Sequence, residues 1–309
     1  MQQKRNIRLF ISLCVLIVIT TVVLFLFNRE EAVVDKTVFR VEDLKTIDKV
    51  VLEHDSAKTE LAIDGIRWKV NGETADRSLI DVLFATLQQA EPKRKVSEKL
   101  TDSLRAHLEN EGVHVTLSQG GEPVLDFFAG GNASKTQAYF TKAGDDEVYI
   151  MVIPGYRVYT SGIFELEAPG WKDKYVFGFN WQNFKSLSVS FAASPADNFE
   201  VVMDNLPVIK GIAQADTAKL NDFLDKISLL TADQYLTKDH AAAYDSALFT
   251  SLGFEITVTD ISGKTYGLKL YPEIGKPRVF GMVQDSHPAI FDSRKILPLM
   301  KSKGWFTKK

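Results

Sequence analysis

Two stretches of this chain follow one pattern at a fixed offset, and a chain that repeats itself is restricted to folds in which one unit occurs twice. The segment ADRSLIDVLFATLQQA, from Ala75, resembles ADTAKLNDFLDKISLL, from Ala215; at an offset of 141, Leu79 meets Leu220, Asp81 meets Asp222, Val82 meets Phe223 and Leu83 meets Leu224. The same offset pairs Gly112, Val113 and Val115 with Gly253, Phe254 and Ile256. Farther on, Gly170-Trp171-Lys172 matches Gly304-Trp305 at an offset of 134, so a net difference of seven residues falls in the intervening hairpins.

Each copy is read through its periodicity. Alternation through Val50 and Leu52, through residues 60–63, and through Ile66, Trp68 and Val70 predicts three short strands with turns at Asp55-Ser56 and Asp64-Gly65. Asp76 stands where its carboxylate can accept the free amides of a first helical turn, and Leu79, Val82, Leu83, Thr86 and Leu87 follow at helical spacing. Pro92 ends that element, and a second helix over 98–110 is expected to stop at Gly112 in the left-handed closing conformation. Strands resume with Val113, Val115 and Leu117 on one face and His114, Thr116 and Ser118 on the other, then continue as hairpins at 124–128, 137–141 and 148–152. The second copy places strands at 254–259, 266–270, 278–282 and 289–291 and a helix at 293–301; its counterpart, 156–167, is expected to be partly helical. Strands grouped with strands and helices with helices make the expected fold class α+β: an N-terminal transmembrane helix followed by two tandem copies of an antiparallel-sheet-plus-helices unit.

The transmembrane expectation rests on residues 9–27, LFISLCVLIVITTVVLFLF, which carry no charge and follow Lys4, Arg5 and Arg8. As a helix they reach roughly 29 Å, close to the roughly 30 Å hydrocarbon core of a bilayer. Basic residues before the run and Arg29, Glu30 and Glu31 after it orient the N-terminus to the cytoplasm and the rest to the far side. A run this long with no small-x-small site after it argues against a cleaved signal peptide. Cys14, the only cysteine, reads as a small apolar residue within the run, so disulfides play no part beyond it. The expected organisation is therefore 1–8 cytoplasmic, 9–27 transmembrane, 28–37 stalk, 38–180 repeat 1 and 181–309 repeat 2, located at a bacterial inner membrane with a periplasmic ectodomain. The junction YVFGFNWQNFK, 175–185, is aromatic where a flexible tether would be polar, so a shared interface between the copies is expected.

The order Ile47-Asp48-Lys49-Val50, Trp68-Lys69-Val70, Ala75-Asp76, an apolar helix, then Trp171-Lys172-Asp173-Lys174 resembles bacterial proteins grouped as domain of unknown function 4340. The second copy departs from it, with Leu206-Pro207-Val208 where Trp68-Lys69-Val70 would stand and no Asp-Lys pair after Trp305. The resemblance implies a single-pass envelope protein, in some cases accompanying ABC transporter components of the type linked to gliding motility. It implies no catalytic residue.

The residues offer little chemistry of their own. Net charge is −3, with 37 basic and 40 acidic residues interspersed, which disfavours a nucleic-acid partner. Lys93, Arg94, Lys95, Lys308 and Lys309 form short runs read as solvated surface. His54, His107, His114, His240 and His287 are scattered outside any compact ligand spacing and are expected to face solvent. The segment 129–136, AGGNASKT, superficially resembles a phosphate loop but lacks glycines where Ala129 and Ser134 stand and precedes a strand, so a hairpin loop is expected. Asp145, Asp146 and Glu147 read as turn formers, Asp76 as a helix cap and Asp81 as exposed helix surface. Trp68, Trp171, Trp181 and Trp305 are expected to close cores rather than line a groove. No catalytic, cofactor-binding or metal-binding residue is assigned, no cofactor is expected, and no enzyme is inferred. The expected function is an extracytoplasmic interaction or scaffold protein, held to the membrane by residues 9–27, with envelope proteins and possible ABC transporter subunits as partners. The alternatives are a ligand receptor using the cleft between the repeats and, less favoured, an envelope hydrolase.

Overall fold

The computed structural model describes residues 2–27, 34–242, 252–271 and 275–308; of the expected stalk, residues 28–33 lie outside the described ones. Helix α1 (Gln2–Phe27) contains the apolar run, and its described side chains from 10 to 22 are all exposed. Among the described residues, no helix is long and apolar enough to cross a membrane.

The rest is α+β. Strands β1 (Lys49–His54), β2 (Ala57–Asp64), β3 (Arg67–Val70) and β4 (Glu73–Thr74) follow one another, with Asp55 and Gly65 in the left-handed region at the first two turns. Helix α2 (Arg77–Gln89) comes next, then β5 (Glu91–Lys95), α3 (Glu98–Glu111), β6 (Val113–Gln119), β7 (Glu122–Gly131), β8 (Ala138–Lys142), β9 (Tyr149–Val152) and the short α4 (Ala168–Trp171). The pattern starts again with β10 (Phe184–Phe191), β11 (Phe199–Asp204), β12 (Leu206–Ile209), α5 (Thr217–Ser228), β13 (Gln234–Tyr235) and α6 (Lys238–Ala242). It finishes with β14 (Phe254–Asp260), β15 (Thr265–Tyr271), β16 (Arg278–Val283), β17 (His287–Asp292) and α7 (Ser293–Ile296).

Two antiparallel sheets result, ordered β4-β3-β2-β1-β6-β7-β8-β9-β5 and β12-β11-β10-β14-β15-β16-β17-β13. Matching β1–β3 to β10–β12, β5 to β13 and β6–β9 to β14–β17 makes the two orders identical, with β4 added to the first. A shared order this long is the structural counterpart of the sequence repeat.

The register of the repeat differs from the sequence reading in one helix. At α2 and α5 the offset is 140, not 141: Asp76 and Asp216 are the respective caps, and the buried Ile80, Leu83 and Leu87 meet the buried Leu220, Phe223 and Ile227. Val82, expected on the packed face, is instead exposed. Offset 141 holds for β6 and β14, where Val113, Val115 and Leu117 meet Phe254, Ile256 and Val258, all buried. The terminal match also moves by one. The Asp76 amide donates to the Trp171 carbonyl and the Asp216 amide to the Phe306 carbonyl, each at 2.7 Å. Antiparallel bridges Ala75–Lys172 and Ala215–Thr307 flank these bonds, so Phe306, not Trp305, is the counterpart of Trp171.

Three further departures have local causes. Residues 91–95 form an edge strand against β9, hidden in the sequence by Pro92 and three cations, the features that protect an edge from further pairing. Gly112 ends α3 in an extended conformation (φ −83, ψ 176) rather than left-handed. Glycine is needed there for space, because a Cβ would lie 2.4 Å from the Leu108 carbonyl oxygen. The expected helix at 293–301 is α-helical only over Ser293–Ile296 and tightens to a 3-10 turn at Leu297–Leu299, around Pro298, whose ring nitrogen offers no donor. Residues 156–167 contain the 3-10 turn Thr160–Ile163, in line with the partly helical expectation.

The chain divides into two compact units, residues 1–59 with 81–165 and residues 60–80 with 166–309. In the first, Phe39 packs edge-on against Phe127, Phe140 and Tyr149 at 5.4–5.6 Å between ring centres, and Phe164 packs on Phe127 and Phe140 from its own segment. A smaller cluster sets Leu108 of α3 against Val96, Val148 and Ile150. In the second, α5 buries Leu220, Phe223, Leu224 and Ile227 in a core with Leu187, Val189, Phe254 and Ile256. Val176, Phe177 and Phe179 of the aromatic junction segment belong to that same core.

Replacing Gly112 with alanine drives a methyl into fixed backbone, and overpacking of this kind typically costs about 1–3 kcal/mol. Gly267 of β15 has open space at the Cβ position and an ordinary φ. Chemical unfolding is expected to show a clear loss for Gly112→Ala and little or none for Gly267→Ala.

Candidate functional site

The most organised polar group in the second unit is built from residues far apart in sequence. Glu73 lies on β4, Lys172 follows α4 and is held by the bridge to Ala75, and His287 opens β17. Tyr235 pairs across β13 and β17 with Ala289, which puts its ring on the same sheet face as His287 and diagonal to it. The Lys172 ammonium forms an ion pair with Glu73 Oε1 at 2.9 Å and donates to His287 Nδ1 at 2.9 Å. His287 Nε2 lies 3.1 Å from Glu73 Oε2, closing a three-membered ring of polar contacts. Lys172 Nζ also sits 5.8 Å from the centre of the Tyr235 ring.

The donors and acceptors settle the imidazole tautomer. A lysine ammonium can only donate, so Nδ1 must accept, and the ring proton is on Nε2. His287 is therefore neutral in this arrangement. Its pKa is held below the ordinary imidazole value, first by burial and then by the Lys172 charge, with Glu73 opposing. Burial, then the negative charges of Asp173 and Glu73, push the Tyr235 phenol well up, so it remains a hydrogen-bond donor.

A cavity of about 250 Å³ opens beside this group, with Pro169, Leu236 and Pro288 as apolar walls and Lys172, Tyr235 and His287 among its polar ones. Thr237 and Ser286 complete the lining.

A second histidine also departs from the solvent-facing expectation. His114 stacks on Phe128 with ring centres 4.6 Å apart, and its Nε2 meets Asp126 Oδ1 at 2.5 Å. Its Nδ1 is 3.6 Å from Glu53 Oε2, on the opposite side of the ring. The two carboxylates thus flank the imidazole rather than converge with it on one point. Among the described residues, no group of three His, Cys, Asp or Glu side chains is placed to hold a metal ion. The remaining histidines engage nearby groups: His54 the Gly112 carbonyl, His107 Glu111, and His240 Thr237.

The other residues singled out in the sequence have structural roles. The 129–136 segment is a hairpin loop in which Asn132 Oδ1 accepts from the amides of Thr136 and Gln137. Asp145 caps a turn, while Asp146 pairs with Arg105 and Glu147 with Lys95. Asp76 caps α2, accepting from the Ser78 amide at 2.8 Å, and Asp81 is exposed. Trp171 is fully buried, and its indole donates to the Leu166 carbonyl. Trp181 is instead 44% exposed, its indole donating to Asp225. Trp305 is partly buried beneath Lys219 and Lys301.

Fold and site together define a duplicated α+β protein whose polar ring sits beside a small, mostly apolar cavity. The family described as Domain of unknown function (DUF4340) matches residues 68–247, more than half of the chain, and the chain belongs to that family. The match contains Glu73, Lys172 and Tyr235 and ends before His287. No curated protein and no solved structure matches the chain.

The depressed His287 pKa fixes a pH dependence. Between the folded value and the unfolded value of about 6.5, the unfolded chain binds more protons, so stability rises with pH through that window. His287 contributes fully above the unfolded value and loses its contribution as pH falls through the folded one. Urea unfolding at pH 7.5 and pH 5 is expected to show an acid-induced loss in the native chain that shrinks in His287→Asn.

Proposed function

We propose that the chain is a membrane-anchored extracytoplasmic interaction protein. In this reading the apolar run 9–27, of which the described side chains cover only 10–22, crosses a bacterial inner membrane with the N-terminus in the cytoplasm, and the duplicated α+β body binds envelope proteins in the periplasm. The observation that carries the proposal is α1 itself. Its helix runs Gln2–Phe27, and every described side chain from 10 to 22 is exposed although most are apolar, with Phe10 at 67% and Leu16 at 62%. An apolar surface of that extent is costly in water and neutral or favourable in lipid. ABC transporter subunits stand here as the proposed partner class.

A receptor for a small ligand is the second reading, and the cavity beside Tyr235 favours it. At about 250 Å³ that cavity falls below the roughly 300–1,000 Å³ usual for small-molecule sites, which ranks this reading behind protein binding. A hydrolase ranks third. Asp260, the buried carboxylate among the described residues, closes its own turn by accepting from Ser262 and Lys264.

Alkaline extraction of membranes is expected to leave the full-length chain in the pellet and to release a variant lacking residues 9–27. Crosslinking in intact cells followed by mass spectrometry is expected to recover envelope proteins. A mature chain found free in solution without its first thirty or so residues overturns the anchor, and failure to recover any envelope protein overturns the interaction.

A further inference from the structure

We infer that a lysine-rich face of the second unit, built around residues 210–216 and 301–308, docks on a surface of acidic phospholipid headgroups, with Trp305 at the headgroup level. The inference adds a membrane contact outside α1 and stands whether or not residues 9–27 span a bilayer.

The fold gathers these lysines from separate parts of the sequence. Lys210 follows β12 and opens a turn in which Gly211 is left-handed (φ 77). The Lys303 ammonium lies 3.0 Å from where a Cβ on Gly211 would stand, so its side chain reaches across to that turn. The Lys308 amide donates to the Gln214 carbonyl at 3.3 Å, beside the bridge between Ala215 and Thr307. Lys219 of α5 donates to the Trp305 carbonyl at 3.1 Å. Its ammonium and that of Lys301 lie 5.2 and 5.3 Å from the centre of the Trp305 ring.

Charge decides what covers this face. Lys210 is paired with Glu200 at 2.6 Å and Lys219 with Asp216 at 3.7 Å. Among the described residues, Lys301, Lys303 and Lys308 make no ion pair. A local excess of positive charge, on a chain whose net charge is −3, is complementary to an extended array of anions. The apolar groups beside the lysines separate lipid from other polyanions. Leu297, whose carbonyl accepts from the Met300 amide just before Lys301, is 60% exposed, and Trp305 is half-buried. A headgroup surface offers phosphates to the ammoniums and an acyl boundary to Leu297 and the indole, while the long lysine stems keep their charges at the headgroups. Tryptophan, apolar over most of its ring and polar at one N–H, suits that boundary.

The test uses the full chain reconstituted into vesicles, of phosphatidylcholine alone or of two parts phosphatidylcholine to one part phosphatidylglycerol. The photocrosslinker p-benzoylphenylalanine is placed at exposed Ala213, within the 210–216 turn. A second chain carries it at exposed Ser286, between β16 and β17, on the far side of the sheet order from β12, as a reference position. The expected result is lipid adducts at Ala213 that require the acidic vesicles, fade in about 1 M salt and exceed those at Ser286. Lys308→Gln is expected to lower their yield about fivefold, and Lys301→Gln, Lys303→Gln and Lys308→Gln together by more than roughly tenfold. Both variants are expected to melt as the native chain does, which separates lost docking from lost folding. Ala213 adducts that are equal in the two kinds of vesicle, no more frequent than those at Ser286, or indifferent to the lysine substitutions overturn the docking face. An Ala213 adduct to another polypeptide in place of lipid, in intact cells, also overturns it and assigns the face to an acidic protein. Retention of the chain in the vesicles after alkaline extraction reports on the anchor alone, so either claim can fail without the other.

Discussion

A single backbone hydrogen bond, made once in each copy, organises the molecule. The amide of the residue that caps the main helix donates to the carbonyl of an aromatic residue near the end of the same copy: Asp76 to Trp171, and Asp216 to Phe306. The capping aspartate therefore works in two directions. Its carboxylate satisfies amides of the first helical turn, while its own amide is satisfied by chain that arrives after all the strands of that copy. Each aromatic so placed is fully buried. Closure of this kind ties residues remote in sequence, and its entropic cost is offset by the apolar area that the aromatic removes from water.

The same tie explains why the polar ring occurs beside only one of the two closures. Lys172 follows Trp171 immediately and bridges to Ala75, which brings its ammonium to Glu73 on β4. Thr307 occupies the matching place in the second copy, and among the described residues the second sheet has no counterpart of β4. A duplicated scaffold has thus diverged where one lysine and one two-residue strand were kept or lost. The ring is partly solvated, with the Lys172 side chain at 16% exposure and Glu73 at 43%, so its contribution lies more in fixing positions than in bulk stability.

Much of the fold could be read in the chain because strand alternation, turn residues and helix caps are local signals. Asp55, Asp64-Gly65, Asp76 and the alternation from Val113 to Ser118 each specify their own conformation within a few residues. The edge strand at 91–95 was obscured because the proline and cations that protect an edge are the residues that read as loop. Sequence likeness alone aligns α2 with α5 one residue off, because Leu79 and Leu83 meet leucines at offset 141 as readily as buried residues meet at offset 140. Only the caps and the burial decide between the two. The site was illegible for a different reason: Glu73, Lys172 and His287 share no local spacing, and His287 lies 115 residues from Lys172. Trp171-Lys172 was visible as a motif, but what the lysine touches is set by sheet order.

The central claim is that the two copies close in the same way, with Phe306 as the partner of Trp171. Chemical unfolding of the full chain carrying Trp171→Ala, Trp305→Ala or Phe306→Ala tests it directly. Truncating a fully buried aromatic costs about 3–5 kcal/mol, so Trp171→Ala and Phe306→Ala are expected to fall in that range and Trp305→Ala, under its two lysines at the edge of the core, well below it. A larger loss for Trp305→Ala than for Phe306→Ala contradicts the shared closure.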